Sequence, residues 1–429
     1  MDGIEPTRRR SDAQPGRRAD AQARRGVLLA AYALAALAPR LAAQSEDAAQ
    51  RIAREVVPQV ERAVGLRFRR PPVVAVRDRE QVRRYLDRKI AEQLPPAELA
   101  AVQRTYRAFR LVDDTIDLRR LMLDVYSEQV AGFYDPDSAK LFILRGADPQ
   151  MVRLIMAHEL VHALQDQYMP LNQILKLKHQ NDRQMAGQAV AEGQATLASL
   201  AALTQGAAEL PSLDRMWAGV REGLRQQRES MPVFANAPLI IQEGLLFPYL
   251  AGADFMQSFE QRRGREDEMP YGDRLPVSTE QILHASKYTA REQPRRIVFG
   301  PPVRGDTLVY EDDFGEFETR VALQTWGVDG DDAIAAAAGW NGDRYEVFGA
   351  PQGTAVVWVT AWDTAEDATQ FAQAVRRAWG GTGGPPRGQR WEVQPSTVAG
   401  ASLVRLTIAP DAWGGWRRPP VVRTFPAVR

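Results

Sequence analysis

The residues from about Asp148 to Tyr168 limit the fold more than any others. Their pattern predicts a helix that stops at Pro170, and the stretches around its polar centre, Leu154-Ile155-Met156-Ala157 and Leu160-Val161-His162-Ala163-Leu164, are apolar on more than one side. Such a helix belongs inside a protein, yet this one carries His158, Glu159 and His162. Polar groups set in so apolar a helix need partners to justify their burial. A second stretch, roughly Asp182 to Gln205, has the same texture, with Ala189, Val190, Ala195, Leu197 and Leu200. Within Ala189–Thr196 its one acid is Glu192.

Residues four apart on a helix share a face, so the imidazoles of His158 and His162 can grip one ion from one side. Glu159 stands at the edge of that face, where a carboxylate can take a proton from a water activated by the ion. The chain has four His and no Cys, so a metal here must be held by His and carboxylates. The expected ion is zinc with three protein ligands and an open fourth position. Two residues compete for the third place. His179 sits in a loop-like run with Lys176, Lys178, Gln180 and Asn181, whereas Glu192 is a lone acid in a buried helix and is the stronger candidate. Its alternative role is a cap or ion pair within the core. Gly193 and Ala195 are expected to let the second helix approach the first closely.

Hydrophobic residues make up 45% of the 429 and charged residues 25%, a balance that supports two or three cores. Lys and Arg number 55 against 54 Asp and Glu, so no overall field draws the chain to nucleic acid, and function must come from a site. At the amino end, Arg8–Arg10, Arg17, Arg18, Arg24 and Arg25 precede the apolar run Val27–Ala38 and the small residues Ala42-Ala43. That order is a secretory signal, residues 1–43, with cleavage near Ala43 or Gln44; an uncleaved anchor is the alternative. The run is short of the about 20 residues that span a membrane, and no other apolar run reaches that length.

Along the mature chain the spacing of Ile52, Val56, Val60 and Val64 predicts an amphipathic helix. Val73–Val76 reads as a strand and Glu80–Gln93 as a helix. Val130–Leu144, interrupted by Asp135-Pro-Asp-Ser138, reads as a hairpin or sheet edge. Further helices are expected at Met216–Arg228 and Leu239–Arg262. Past Pro294 the texture changes to short strands (Thr307–Tyr310, Arg344–Phe348, Ala355–Trp362, Ser402–Ile408) alternating with helices (Gly315–Trp326, Ala365–Trp379), an α+β module with an antiparallel sheet. The loop Gly380–Pro386 interrupts it. Trp326, Trp340, Trp358, Trp362, Trp379 and Trp391 lie in strand or helix patterns and read as core.

Four separated motifs occur in order: Gly132-Phe-Tyr-Asp-Pro136, His158-Glu-Leu-Val-His-Ala-Leu-Gln-Asp-Gln167, Ala191-Glu-Gly-Gln-Ala-Thr196 and Pro276-Val-Ser-Thr-Glu-Gln-Ile-Leu-His284. Over Ser45–Tyr288 the chain resembles the gluzincins, zinc peptidases with two His and one Glu ligand, and more narrowly a group of poorly characterised bacterial exported metallopeptidases. The resemblance implies zinc on His158, His162 and Glu192, with Glu159 catalytic. It departs from thermolysin-like members in the longer gap before Glu192 and in lacking an Asn before that Glu.

Peptide hydrolysis also needs a donor to the developing oxyanion. His284 and Tyr288, on one face after the capping-box-like Ser278-Thr279-Glu280-Gln281, are the candidates; His284 packing structurally is the alternative. Asp166 and Thr196, each four residues after an expected ligand, either orient an imidazole or simply pack. Lys140–Leu144 is either the edge strand that pairs with substrate or an interior strand. The whole reads as an α+β protein: a zincin-like, largely helical metallopeptidase domain at 44–295, an α+β module with an antiparallel sheet at 296–410, and an irregular tail at 411–429. It is expected to be periplasmic or extracellular, to act on peptide or protein substrates, and to have no nucleic-acid partner and no membrane span in the mature chain. The competing readings are an envelope protein with a structural zinc and a peptide-binding module.

Overall fold

The computed structural model describes residues 45–147, 149–203, 231–262, 269–381 and 388–425. The expected signal, the helix expected at Met216–Arg228 and most of the Gly380–Pro386 loop lie outside them. The amino-terminal part contains α1 (Glu46–Val64), β1 (Val73–Arg77), α2 (Arg79–Gln93), α3 (Pro96–Ala108), α4 (Leu118–Gln129), β2 (Gly132–Asp135), β3 (Lys140–Leu144), α5 (Pro149–Gln165), α6 (Leu171–Leu175) and α7 (Asn181–Leu203). Then come α8 (Pro232–Ala235), α9 (Leu239–Arg262), α10 (Thr279–Leu283), α11 (Ala285–Ala290) and β4 (Arg296–Phe299). The carboxy-terminal part contains β5 (Thr307–Asp312), α12 (Gly315–Thr325), α13 (Gly330–Ala337), β6 (Trp340–Ala350), β7 (Gly353–Trp362), α14 (Ala365–Gly380), β8 (Gln389–Val398), β9 (Ala401–Pro410) and β10 (Val422–Phe425). The protein is α+β.

Local chemistry sets these boundaries. Ser45 caps α1 by accepting from the Ala48 amide, and Gly65 ends it in the left-handed region at φ 78°. Asp78 and Gln81 form a reciprocal capping box at the start of α2. The expected hairpin is β2–β3, joined by Pro136–Ala139, where the Asp135 carboxylate accepts from the Ser138 hydroxyl at 2.7 Å. In the first sheet β3 lies between β1, its parallel partner, and β2, its antiparallel one. Lys140–Leu144 is therefore an interior strand, its backbone engaged on both sides, and the edges are β1 and β2. Val130–Leu144 forms a strong run because four of its five β3 residues are buried.

The texture of α7 follows from its place between two cores. Ala191 and Ala195 join Ala157, Leu160 and Val161 of α5 in one buried cluster with α1 and the first sheet. Ala186, Ala189 and Val190 join a second cluster that runs through Phe247 and Phe255 of α9 and Phe317 of α12 to Trp358 of the large sheet. Two faces of the helix are buried in different cores, which explains the weak amphipathicity. Ala195 faces α5 as expected, but Gly193 does not: it meets Gly252 of α9, where a Cβ would overlap the Gly252 carbonyl group.

The large sheet has the order β5-β6-β7-β9-β8, antiparallel throughout. Trp340, Trp358, Trp362 and Trp379 are fully buried against it, as core aromatics. Three strands, β4, β8 and β10, escaped the sequence pattern. β8 is a mostly exposed edge strand containing Pro395, so it shows no apolar alternation. β10 falls in the tail expected to be irregular and pairs antiparallel with β4. Among the described residues, no helix is long and apolar enough to cross a membrane.

Candidate metal centre

α5 presents His158 and His162 one turn apart, and α7 lies across them with Glu192. The Nε2 atoms of the two imidazoles are 3.0 Å apart, and Glu192 Oε2 is 3.2 Å from the first and 3.3 Å from the second. All three side chains are buried, at 0, 1 and 3% exposure. Three groups of this chemistry, converging on one point away from water, could hold a metal ion. Burial pushes the His158 imidazole down to about 4. Burial also opposes charge on His162 and Glu192, but their mutual attraction outweighs it, raising His162 to about 9 and holding Glu192 at about 2.

Glu159 is wholly buried on α5. Neither of its carboxylate oxygens has a hydrogen-bond partner among the described residues. Burial pushes its carboxyl up to about 8, and attraction to the His162 imidazole offsets this in part. Behind the ligands, His162 Nδ1 is 2.9 Å from Gln165 Oε1, and the Gln165 amide nitrogen donates to the Ala191 carbonyl at 3.0 Å and to Gln194 Oε1 at 2.8 Å. The Tyr271 hydroxyl also donates to Gln194 Oε1.

Other residues singled out in the sequence go elsewhere. His179 donates from Nδ1 to the Glu311 carbonyl at 2.7 Å and is not a member of the cluster. Asp166 does not orient an imidazole: its two oxygens accept from the Tyr134 hydroxyl and the Leu171 amide, both at 2.9 Å. The Thr196 hydroxyl is buried with no partner among the described residues. His284 Nε2 lies 2.8 Å from Glu316 Oε1, a bond that raises its pKa, and Tyr288 donates its hydroxyl to the Arg274 carbonyl at 3.0 Å. Tyr288 lines a separate cavity with Phe259 and Arg262. The structure does not bring His284 and Tyr288 to the cluster.

The aromatic residue that does stand beside it is Tyr249 of α9, stacked on His158 with ring centroids 6.1 Å apart and planes 24° apart. Tyr249 and Glu192 both line a cavity of about 350 Å³ that continues past Met122 and Leu245 to Tyr106 and Glu318. Nothing in the pattern of α9 distinguishes Tyr249 from its apolar neighbours, so no local signal marks it. A second group of acids, Glu280, Glu292 and Asp363, surrounds the Lys287 ammonium at 3.1, 2.6 and 2.5 Å. There a side-chain cation already fills the place an ion would take.

Residues 305–409 match a family described as a domain of unknown function, DUF8575. The match covers the large sheet from β5 to β9 and its helices, and leaves α5 and α7 outside it. No curated protein and no solved structure matches the chain.

Proposed function

We propose that the chain is an exported zinc-dependent metallopeptidase of zincin type, in which His158, His162 and Glu192 hold the metal and Glu159 is the general base. The observation that carries this reading is Glu159: a carboxylate buried beside a ligand with both oxygens unpartnered is expensive, and a purely structural metal site has no need of it. The ligand set fits zinc. Ligands at 2.0–2.1 Å in a tetrahedron are separated by about 3.3 Å, close to the 3.0, 3.2 and 3.3 Å between the three ligand atoms.

When bound, zinc supplies Lewis acidity, polarising a carbonyl and making a water acidic near neutral pH. Glu159 then takes the proton of the attacking water on a carboxylate oxygen and hands it to the leaving amine. Tyr249 replaces His284 and Tyr288 as the candidate donor to the oxyanion, since it stacks on a ligand and lines the cavity that reaches Glu192. A peptide substrate approaches from that side.

The closure of the site favours one rival, a structural zinc, since the three ligands are at most 3% exposed. Two measurements decide between them. The mature protein, beginning near Ser45, should hold about one zinc per chain and cleave unfolded casein, with cleavage lost on treatment with a chelator and restored by zinc. Full zinc content without cleavage of casein or a peptide library would favour the structural reading.

A further inference from the structure

The hydrogen bonds behind His162 have a direction that chemistry alone decides. A backbone carbonyl can only accept, so the Gln165 atom 3.0 Å from the Ala191 carbonyl oxygen must be its amide nitrogen. The other hydrogen of that nitrogen goes to Gln194 Oε1 at 2.8 Å. Turning the amide over would set Gln165 Oε1 against two acceptors in a place with no exposure to water. Gln165 Oε1 must therefore face His162 Nδ1, at 2.9 Å, and an oxygen there demands an N–H from the ring. In the neutral ring that a metal requires, protonation at Nδ1 leaves the lone pair of Nε2 facing His158 and Glu192.

The same contact joins the two ligand-bearing helices. Ala191, whose carbonyl holds the Gln165 amide, immediately precedes Glu192, so one side chain orients a ligand of α5 and is anchored beside the ligand of α7. Gln194 Oε1 accepts from both Gln165 and the Tyr271 hydroxyl, which fixes its own amide in turn. Its nitrogen faces the sulfur of Met269 at 3.5 Å.

We infer that Gln165 is a positioning residue that selects the metal-binding tautomer of His162 and locks that ring against Glu192. The inference rests on the metal-site reading above. Groups that hold a ligand imidazole in this way change metal affinity by about 10- to 100-fold when removed. The test is zinc affinity, measured by competition with a chromogenic chelator, for the wild-type protein, Gln165→Met and Tyr271→Phe, with circular dichroism to confirm folding. Gln165→Met should bind zinc about 10- to 100-fold more weakly. Tyr271→Phe, which removes only the far end of the relay, should lose less. Long-range proton–nitrogen spectra of the zinc-loaded wild-type protein should show His162 protonated at Nδ1 and ligating through Nε2; they need no variant to fold. Unchanged zinc affinity in Gln165→Met, or a His162 ring protonated at Nε2, would overturn the role of Gln165 while leaving the metal site intact. A wild-type protein that binds no zinc would overturn both.

Discussion

The Asp313 carboxylate, in the corner between β5 and α12, accepts a 2.7 Å hydrogen bond from the backbone N–H of Asp182, the second residue of α7. Beside it Asp312 accepts from the Asn181 amide at 3.0 Å, and Arg344 of β6 donates to the His179 carbonyl at 2.6 Å. The family-matched region thus caps the helix that carries Glu192, supplying acceptors where the first turn leaves donors unpaired. Loss of such a cap costs about 0.5–2 kcal/mol. Asp313→Ala should lower the urea midpoint accordingly and weaken zinc binding, although the substitution lies far along the chain from the metal ligands. A zinc affinity equal to wild type would show that α7 is held without this cap.

Asp182 itself gives the protein a pH dependence. Burial pushes its carboxyl from 3.8 up to about 7, partly offset by hydrogen bonds from the Thr279 amide and hydroxyl. The folded chain therefore binds this proton more tightly than the unfolded one. Its contribution to stability is full below the unfolded pKa and is lost as pH rises from about 4 to 7. Asp182→Asn keeps an oxygen for Thr279 and removes the titration. Its stability relative to wild type should rise across that window by on the order of 2 kcal/mol, read from urea midpoints at pH 4.5 and 7.5. A constant difference between the two proteins would mean that Asp182 ionises normally.

The crossing of α7 and α9 is the tightest contact near the site, because a Cβ on Gly252 would overlap the Ala189 carbonyl oxygen. Gly252→Ala must push the helices apart beside Glu192. It should destabilise the fold by about 2 kcal/mol and loosen zinc. Gly244, earlier in α9, meets nothing within 4 Å, so Gly244→Ala should be neutral or stabilising by up to about 1 kcal/mol. Equal effects of the two substitutions would contradict the close crossing.

What the sequence revealed and what it hid follow from the same physics. His158, His162 and Glu192 stood out because charged groups in apolar helices need partners, and the structure brings those three together. Of the Trp residues read as core, Trp340, Trp358, Trp362 and Trp379 are buried, and Trp326 and Trp391 are half-buried against them. Tyr249, Gln165 and the acids at 312 and 313 were not legible: their roles depend on which helix or corner lies opposite, and no local period encodes that. His284 and Tyr288 misled for the converse reason, since a shared helical face says nothing of which cavity the face meets. Gly193 was expected against α5 because the pattern marks a close approach without naming the partner, which is α9.

The most direct test of the account replaces Glu159 by Gln and measures zinc and peptide cleavage on the same samples. Gln has nearly the shape of Glu and leaves His158, His162 and Glu192 in place, but it cannot carry the proton. General acid–base catalysis contributes about a hundred- to ten-thousand-fold. Glu159→Gln should therefore keep its zinc and lose cleavage of casein or a peptide library by that factor. In contrast, Glu192→Gln should lose zinc and regain part of its activity when zinc is added, since an amide is a poorer ligand than a carboxylate. Wild-type cleavage by a zinc-replete Glu159→Gln protein would contradict the proposed mechanism.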